Sequence, residues 1–397
     1  MVFSNLIFLY LFLPVCLIAY FFCPGIRAKN AVLILFSLIF YAWGEPVYLL
    51  LMIASAAVNW YFGLLIERRR KKIFLILALV LDLGCLAVFK YAGFFVENLN
   101  AVFGASIPVP QIALPIGISF YTFQALSYTV DVWRGDVPAQ RSFAKLLLYI
   151  SLFPQLIAGP IVRYSDIAVQ LKTREHSVSE AASGARRFIL GLAKKILLAN
   201  LLGELVSSFR ASADLSVLYY WLGAIAFTLQ IYYDFSGYSD MAIGLGRIFG
   251  FRFPENFQYP YLSGSITEFW RRWHISLGAW FRDYVYIPCG GSRAGTVRTI
   301  ANLLLVWLLT GIWHGANWTF LLWGVYYGIL LLLEKFVLRR VLEHLARPAA
   351  PCADAAARAH RLGVLLLVLA RRGLRLDRAD VRRAAVRSST PRRSIIW

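Results

Sequence analysis

Long apolar runs separated by short polar breaks fill most of the chain. Candidate spans lie near 3–22, 31–44, 48–66, 73–94, 112–132, 187–208, 216–234, 299–318 and 319–336. A bilayer-crossing helix needs about 20 apolar residues, so the short run at 31–44 is expected to recruit its flanks. A tenth segment, "KLLLYISLFPQLIAGPIV" at 145–162, carries Pro154 and Pro160 and reads as re-entrant. The runs are continuous and lack the ten-residue alternation of a transmembrane barrel. In lipid, every backbone polar group must be satisfied within the protein. The pattern therefore predicts an all-α, polytopic membrane bundle. Residues 254–293 break the pattern by mixing aromatics with charges. There Phe269, Trp270, Trp273, Leu277, Trp280 and Phe281 recur at helical spacing, which predicts one amphipathic helix at an interface or dipping into the protein. Thr267 is placed to cap it. The chain has no internal repeat.

Composition supports the membrane class: 59% of residues are hydrophobic and 16% charged, against about 45–50% and about 25% in soluble domains. The net charge of +20 raises the question of nucleic acid, but the placement of the charge argues for topology. "GIRAKN" at 25–30 and "ERRRKK" at 67–72 are short basic loops between spans, the signal of a cytoplasmic face. Both fall inside if the N-terminus is periplasmic, with "GEP" at 44–46 outside. The first run has no preceding lysine or arginine and no cleavage site, and reads as a retained span. From 347 the composition changes: residues 347–397 hold twelve arginines, no lysine and three aspartates. Residues 1–346 are read as one membrane domain and 347–397 as a disordered or out-of-frame basic tail. Five scattered cysteines suggest neither a disulfide framework nor a zinc site.

Of five histidines, His176, His344 and His360 lie in hydrophilic or basic stretches and read as solvated. His274 and His314 remain. His314 sits in "GIWHGANWTFLLWG", among the most apolar parts of the chain. It is either a packed histidine with both nitrogens satisfied or a functional group, since ionisable side chains at membrane depth are costly. An imidazole titrates near neutrality and can take a proton from a hydroxyl. Two histidines forty residues apart without HExxH make a weak metal signal. No GxSxG elbow is present, and "GLGRIFG" at 244–250 lacks the setting of a dinucleotide fingerprint. Cys289 in "IPCGGSR" is an acyl-carrying thiol or, more simply, part of a packed turn. Asp131, Asp234, Asp240, Glu268 and Asp283 lie near membrane depth. Asp234 and Asp240 either support a histidine or form salt bridges at a polar helix end.

"YYDFSGYSDMAIGLG", "NFQYPYLSGSITEFWRRWHISLGAWFRDYVYIPCGGSR" and "WLLTGIWHGANWTFLLWGVYYG" follow one another in that order. With "LPIGISFYTFQALSYTVDVWRG" and "FPQLIAGPIVRY", they resemble the membrane-bound O-acyltransferases, nearest the bacterial alginate O-acetylase branch, over roughly residues 1–345. The resemblance implies helices around a central tunnel and an enzyme of the inner membrane. That enzyme would move an acetyl group from a cytoplasmic thioester, acetyl-CoA, towards hydroxyls of a secreted polysaccharide such as alginate. It implies periplasmic SGNH-type acetyltransferase partners, no bound cofactor, no metal and no nucleic acid. Peptidoglycan, another exopolysaccharide and D-alanylated teichoic acid are alternative acceptors. His314 maps to the principal catalytic histidine and His274 to the second active-site residue. Asn317 is read as fixing the His314 tautomer. Arg271, Arg272 and Arg282 are read as meeting donor phosphates or as snorkelling at the interface. A proton-coupled transporter with His314 and the aspartates as relay is the rival from another class.

Overall fold

A computed structural model describes residues 2–212 and 216–338. Residues 339–397, which hold His344, Cys352, His360 and the basic stretch from 347, lie outside the described residues. Three helices lead: α1 (Phe8–Phe22), α2 (Gly25–Ala42) and α3 (Tyr48–Arg69). α3 ends at Arg70 in a left-handed conformation, φ 47°, where the basic loop turns. α4 (Lys72–Phe103) follows, with 32 residues. Among the described residues, α2, α3, α4 and the last two helices are long and apolar enough to cross a membrane. The chain is a multi-pass, all-α membrane protein.

α5 (Ile118–Arg134) corrects the expected span at 112–132: it is shorter, and most of its residues are buried. It is a core helix, so its run of apolar residues faces protein. Its polar side chains find internal partners. Thr129 donates to Asn59 Oδ1 at 2.6 Å, and Asn59 Nδ2 donates to Asp82 Oδ1 at 3.0 Å, tying α5, α3 and α4 together. In lipid, where helix association gains little from hydrophobicity, such bonds and close packing hold a bundle. The 145–162 segment forms α6 (Phe143–Ser151) and α7 (Phe153–Leu156), both too short to cross and buried from Leu146 to Leu156. α8 (Tyr164–Ile167) completes this buried unit.

α9 (Val178–Ala193) runs through a π-helical stretch, Lys194–Asn200, into α10 (Leu201–Ala211). α11 (Val217–Ile248) packs back on α9. Glycines let the two backbones touch. A Cβ on Gly244 would stand 2.6 Å from the Gly184 carbonyl and 2.7 Å from the Phe188 amide. His176, expected to be solvated, is exposed and also meets the buried Tyr20 hydroxyl at 2.8 Å.

The expected single helix over 269–281 is two: α12 (Ile266–Arg272) and α13 (Ile275–Phe281). Ser265, not Thr267, caps the first, accepting from the Glu268 amide at 3.0 Å. α14 (Thr296–His314) and α15 (Trp318–Leu338) form a tight hairpin. The boundary read at 318/319 lies instead at Gly315–Asn317, so His314 closes α14 rather than sitting inside it.

Filling the glycine seam tests this packing. Gly244→Val should destabilise the protein by about 1–3 kcal/mol, the usual cost of overpacking. The readout is a lower thermal unfolding midpoint in detergent. An unchanged midpoint would rule out a backbone contact there.

Candidate active site

Both singled-out histidines stand where a helix breaks. His274 separates α12 from α13 with φ 46° and ψ 54°, a left-handed conformation uncommon outside glycine. Asn256 holds it there. The Asn256 carbonyl accepts from the Ile275 amide at 3.0 Å, and its Oδ1 accepts from His274 Nδ1–H at 3.0 Å and from the Ser276 hydroxyl at 2.9 Å. Asn256 Nδ2 donates onward to Ser239 Oγ at 2.9 Å. Ser276 Oγ in turn accepts from the Ile161 amide at 2.9 Å, and Trp280 donates to the Phe123 carbonyl at 3.0 Å while stacking on its ring. The break is thus pinned to α5, α11 and the loop after α7.

An amide oxygen only accepts, so a neutral His274 carries its proton on Nδ1. Its Nε2 keeps the lone pair and is buried with no hydrogen-bond partner among the described residues. Burial drives the ring's pKa down to about 3, with nearby His314 acting in the same direction. His274 is a neutral imidazole that offers an acceptor, not a donor, on Nε2.

His314 repeats this tautomer. Its Nδ1–H donates to the Thr310 carbonyl at 2.7 Å, one turn back in its own helix. Asn317, expected to set the tautomer, does other work: its Oδ1 accepts from the amide and hydroxyl of Thr319, each at 2.8 Å, and caps α15. One-turn spacing brings it no nearer because the helix stops at Gly315.

The two histidines line one cavity of about 1060 Å³. It follows α14 from Leu303 to His314, roughly 16 Å at 1.5 Å per residue. Arg271 and Arg282 line it, joined by Lys335, Glu334, Tyr286 and Ser292. Arg272 does not; it pairs with Glu268 at 2.5 Å. Arg282 pairs with Asp283 at 2.6 Å. Asp234 and Asp240 are not brought to the cavity. Asp234 pairs with Lys195 at 2.5 Å, and Asp240 with Arg187 at 2.9 Å and Lys194 at 2.6 Å. Among the described residues no group of His, Cys, Asp and Glu could hold a metal ion.

The sequence profile of the membrane-bound O-acyltransferase family matches residues 138–344, including both histidines and all of the cavity lining. The chain belongs to this family. This O-acyltransferase family member is 47% identical to the probable alginate O-acetylase of Azotobacter vinelandii over 344 residues, covering 84% of this chain and 69% of the relative. It is 47% identical to that of Pseudomonas aeruginosa, covering 84% and 66%. It is 35% identical to the peptidoglycan O-acetyltransferase of Helicobacter pylori, covering 84% and 70%. The chain thus spans about two thirds of the length of these relatives.

Three residues that shape the O-acyltransferase cavity escaped the sequence reading. Asn256 lies in "PENFQYP", where nothing marks it as a partner of His274. Glu334, buried, accepts from the Ile266 amide at 2.7 Å and from the Thr267 amide, joining the end of α15 to the start of α12. Lys90 stands inside an apolar run, and a lone cation there was a readable signal.

Asn256→Ala would leave His274 Nδ1–H and the Ser276 hydroxyl without their acceptor. An unpaired buried polar group costs about 1–3 kcal/mol, so the variant should unfold at a clearly lower temperature than Asn256→Asp, which keeps the acceptor. Equal midpoints for the two would show that the bond is not what holds the break.

Proposed function

We propose that the chain transfers an acetyl group from a cytoplasmic thioester, acetyl-CoA, to hydroxyls of a secreted polysaccharide, with alginate as the acceptor. What carries the reading is one cavity shared by two imidazoles, each held with its proton on Nδ1. In that tautomer His314 Nε2 is the base. It takes the proton as the hydroxyl oxygen bonds to the thioester carbonyl carbon; the C–S bond then breaks and the imidazolium protonates the departing thiolate. Such a base is worth about 10²–10⁴-fold in rate. His274, an acceptor at Nε2, suits orienting a hydroxyl or the acyl group. Stabilising an oxyanion would require a proton that this tautomer lacks.

The basic end of the cavity suits the donor. Arg141 pairs with Glu67 at the end of α3, beside the basic loop 67–72. Arg134, at the same end of α5, donates to the Asp283 carbonyl at 3.0 Å, next to Arg282. By the positive-inside rule this side is cytoplasmic, which gives a periplasmic N-terminus and an inner-membrane setting. Arg271, Arg282 and Lys335 then offer three cations to the phosphates of the donor. The likeness to alginate O-acetylases favours an exopolysaccharide acceptor finished by periplasmic SGNH-type partners. The Helicobacter pylori relative makes peptidoglycan the second reading.

The test is His314→Ala, expressed at unchanged level in cells lacking the native copy, with O-acetyl content measured on exported polysaccharide and on cell-wall glycan. Acetyl groups should vanish from the polysaccharide alone. Loss from the wall glycan instead would move the acceptor to peptidoglycan, and retention on both would overturn the catalytic assignment.

A further inference from the structure

The last turn of α14 poses a problem that the rest of the helix does not. A helix that stops leaves its final carbonyls without amide partners, and inside a membrane no water replaces them. α14 stops because Gly315 is extended, φ 171° and ψ 153°. The Gly315 amide reaches only the Ile312 carbonyl, at 3.1 Å. The remaining partners come from α4. The Tyr91 hydroxyl donates to the Ile312 carbonyl at 2.8 Å, and Lys90 Nζ donates to the Trp313 carbonyl and, at 3.2 Å, to Ser119 Oγ.

We infer that Lys90 and Tyr91 are positioning residues for His314, clamping the peptide groups that lead into it from α4. The inference rests on His314 acting as the base. A lysine at membrane depth ordinarily snorkels or pairs with a carboxylate. Lys90 does neither: it is half-buried, and among the described residues no carboxylate stands within ion-pair distance of it. Its ammonium instead ends on the carbonyl immediately before His314. The Trp313 ring lies 4.9 Å from the His314 ring and 6.0 Å from that of His274. A shift of the 313–314 peptide would therefore move the base and disturb its neighbour together.

Other ionisable groups share the surroundings of His314. His274 faces it from the α12–α13 break, and Arg271 and Arg282 line the same cavity. From α15 come Tyr327, Glu334 and Lys335, with the Glu334 carboxylate occupied by the Ile266 and Thr267 amides. Among the cations of the described residues, Lys90 is the one that bonds to the peptide of α14 preceding His314.

The experiment uses the full chain in lipid nanodiscs, with acetyl-CoA as donor, a soluble uronate oligosaccharide as acceptor and release of free thiol as readout. Lys90→Met should lower kcat by about tenfold to a hundredfold, the loss that follows from slight misplacement of a catalytic group, with KM for acetyl-CoA unchanged. Lys90→Arg should restore kcat. Wild-type kcat in Lys90→Met, or a low kcat that Lys90→Arg fails to restore, would overturn the inference. Should Lys90→Met fail to fold, Tyr91→Phe decides: reduced kcat at constant KM supports the clamp, and wild-type kcat refutes it. His314→Ala in the same assay separates the two claims. If it stays active, the base assignment falls; if it is dead while the clamp variants are normal, only the clamp falls.

Discussion

Backbone amides and carbonyls inside a bilayer must be satisfied by the protein itself, and every notable feature of the cavity answers to that demand. An unbroken helix meets it automatically. A broken one does not, and this chain breaks twice beside the cavity, at His274 and after His314. Each break is repaired by side chains from elsewhere. Asn256 takes the amide after His274, Glu334 takes the first amides of α12, and Lys90 and Tyr91 take the last carbonyls of α14. The breaks project the imidazoles away from regular helix surfaces, and the repairs hold them there. Positions of strain that the surroundings over-determine are where function collects.

The two repairs differ in kind, and the difference suits two roles. Asn256 fixes His274 through Nδ1, and burial keeps the ring neutral. His314 opens onto the cavity, its Nδ1 tied to its own helix. A group that must gain and lose a proton in each turnover needs access and a tolerable charged state. A group that only aligns a partner does better enclosed.

Much of this could be read from the order of residues, and the remainder has a common cause. Run length found the five described helices that are long and apolar enough to cross a membrane, because hydrocarbon thickness sets a length that sequence must match. The cost of burying imidazole singled out His314 and His274. α5 was misjudged because an apolar run facing protein looks the same as one facing lipid. The split between α12 and α13 was hidden because aromatic spacing continues across it; only the left-handed residue between them interrupts the path. Ser265 and Glu268 stand at capping-box spacing in "SITE", a better signal than Thr267. Asn256 and Glu334 were out of reach because what defines them is a partner brought close by folding. Lys90 and Asp82 were within reach: each is an ionisable side chain inside an otherwise apolar run.

The aspartates of "YYDFSGYSD" decide between transfer and transport. A proton relay through His314 would need carboxylates within a chain of hydrogen bonds leading to it. Asp234 and Asp240 instead face α9 and its π-helical continuation, neutralised by Lys195, Lys194 and Arg187. None of these five residues lines the cavity. Their ion pairs flank the glycine seam where α9 and α11 touch, the place where two closely approaching helices gain most from fixed charges. The charged groups that do reach the cavity are Arg271, Arg282, Lys335 and Glu334, and the Glu334 carboxylate is taken up by the Ile266 and Thr267 amides, a set suited to an anionic thioester and poorly suited to passing protons across the membrane.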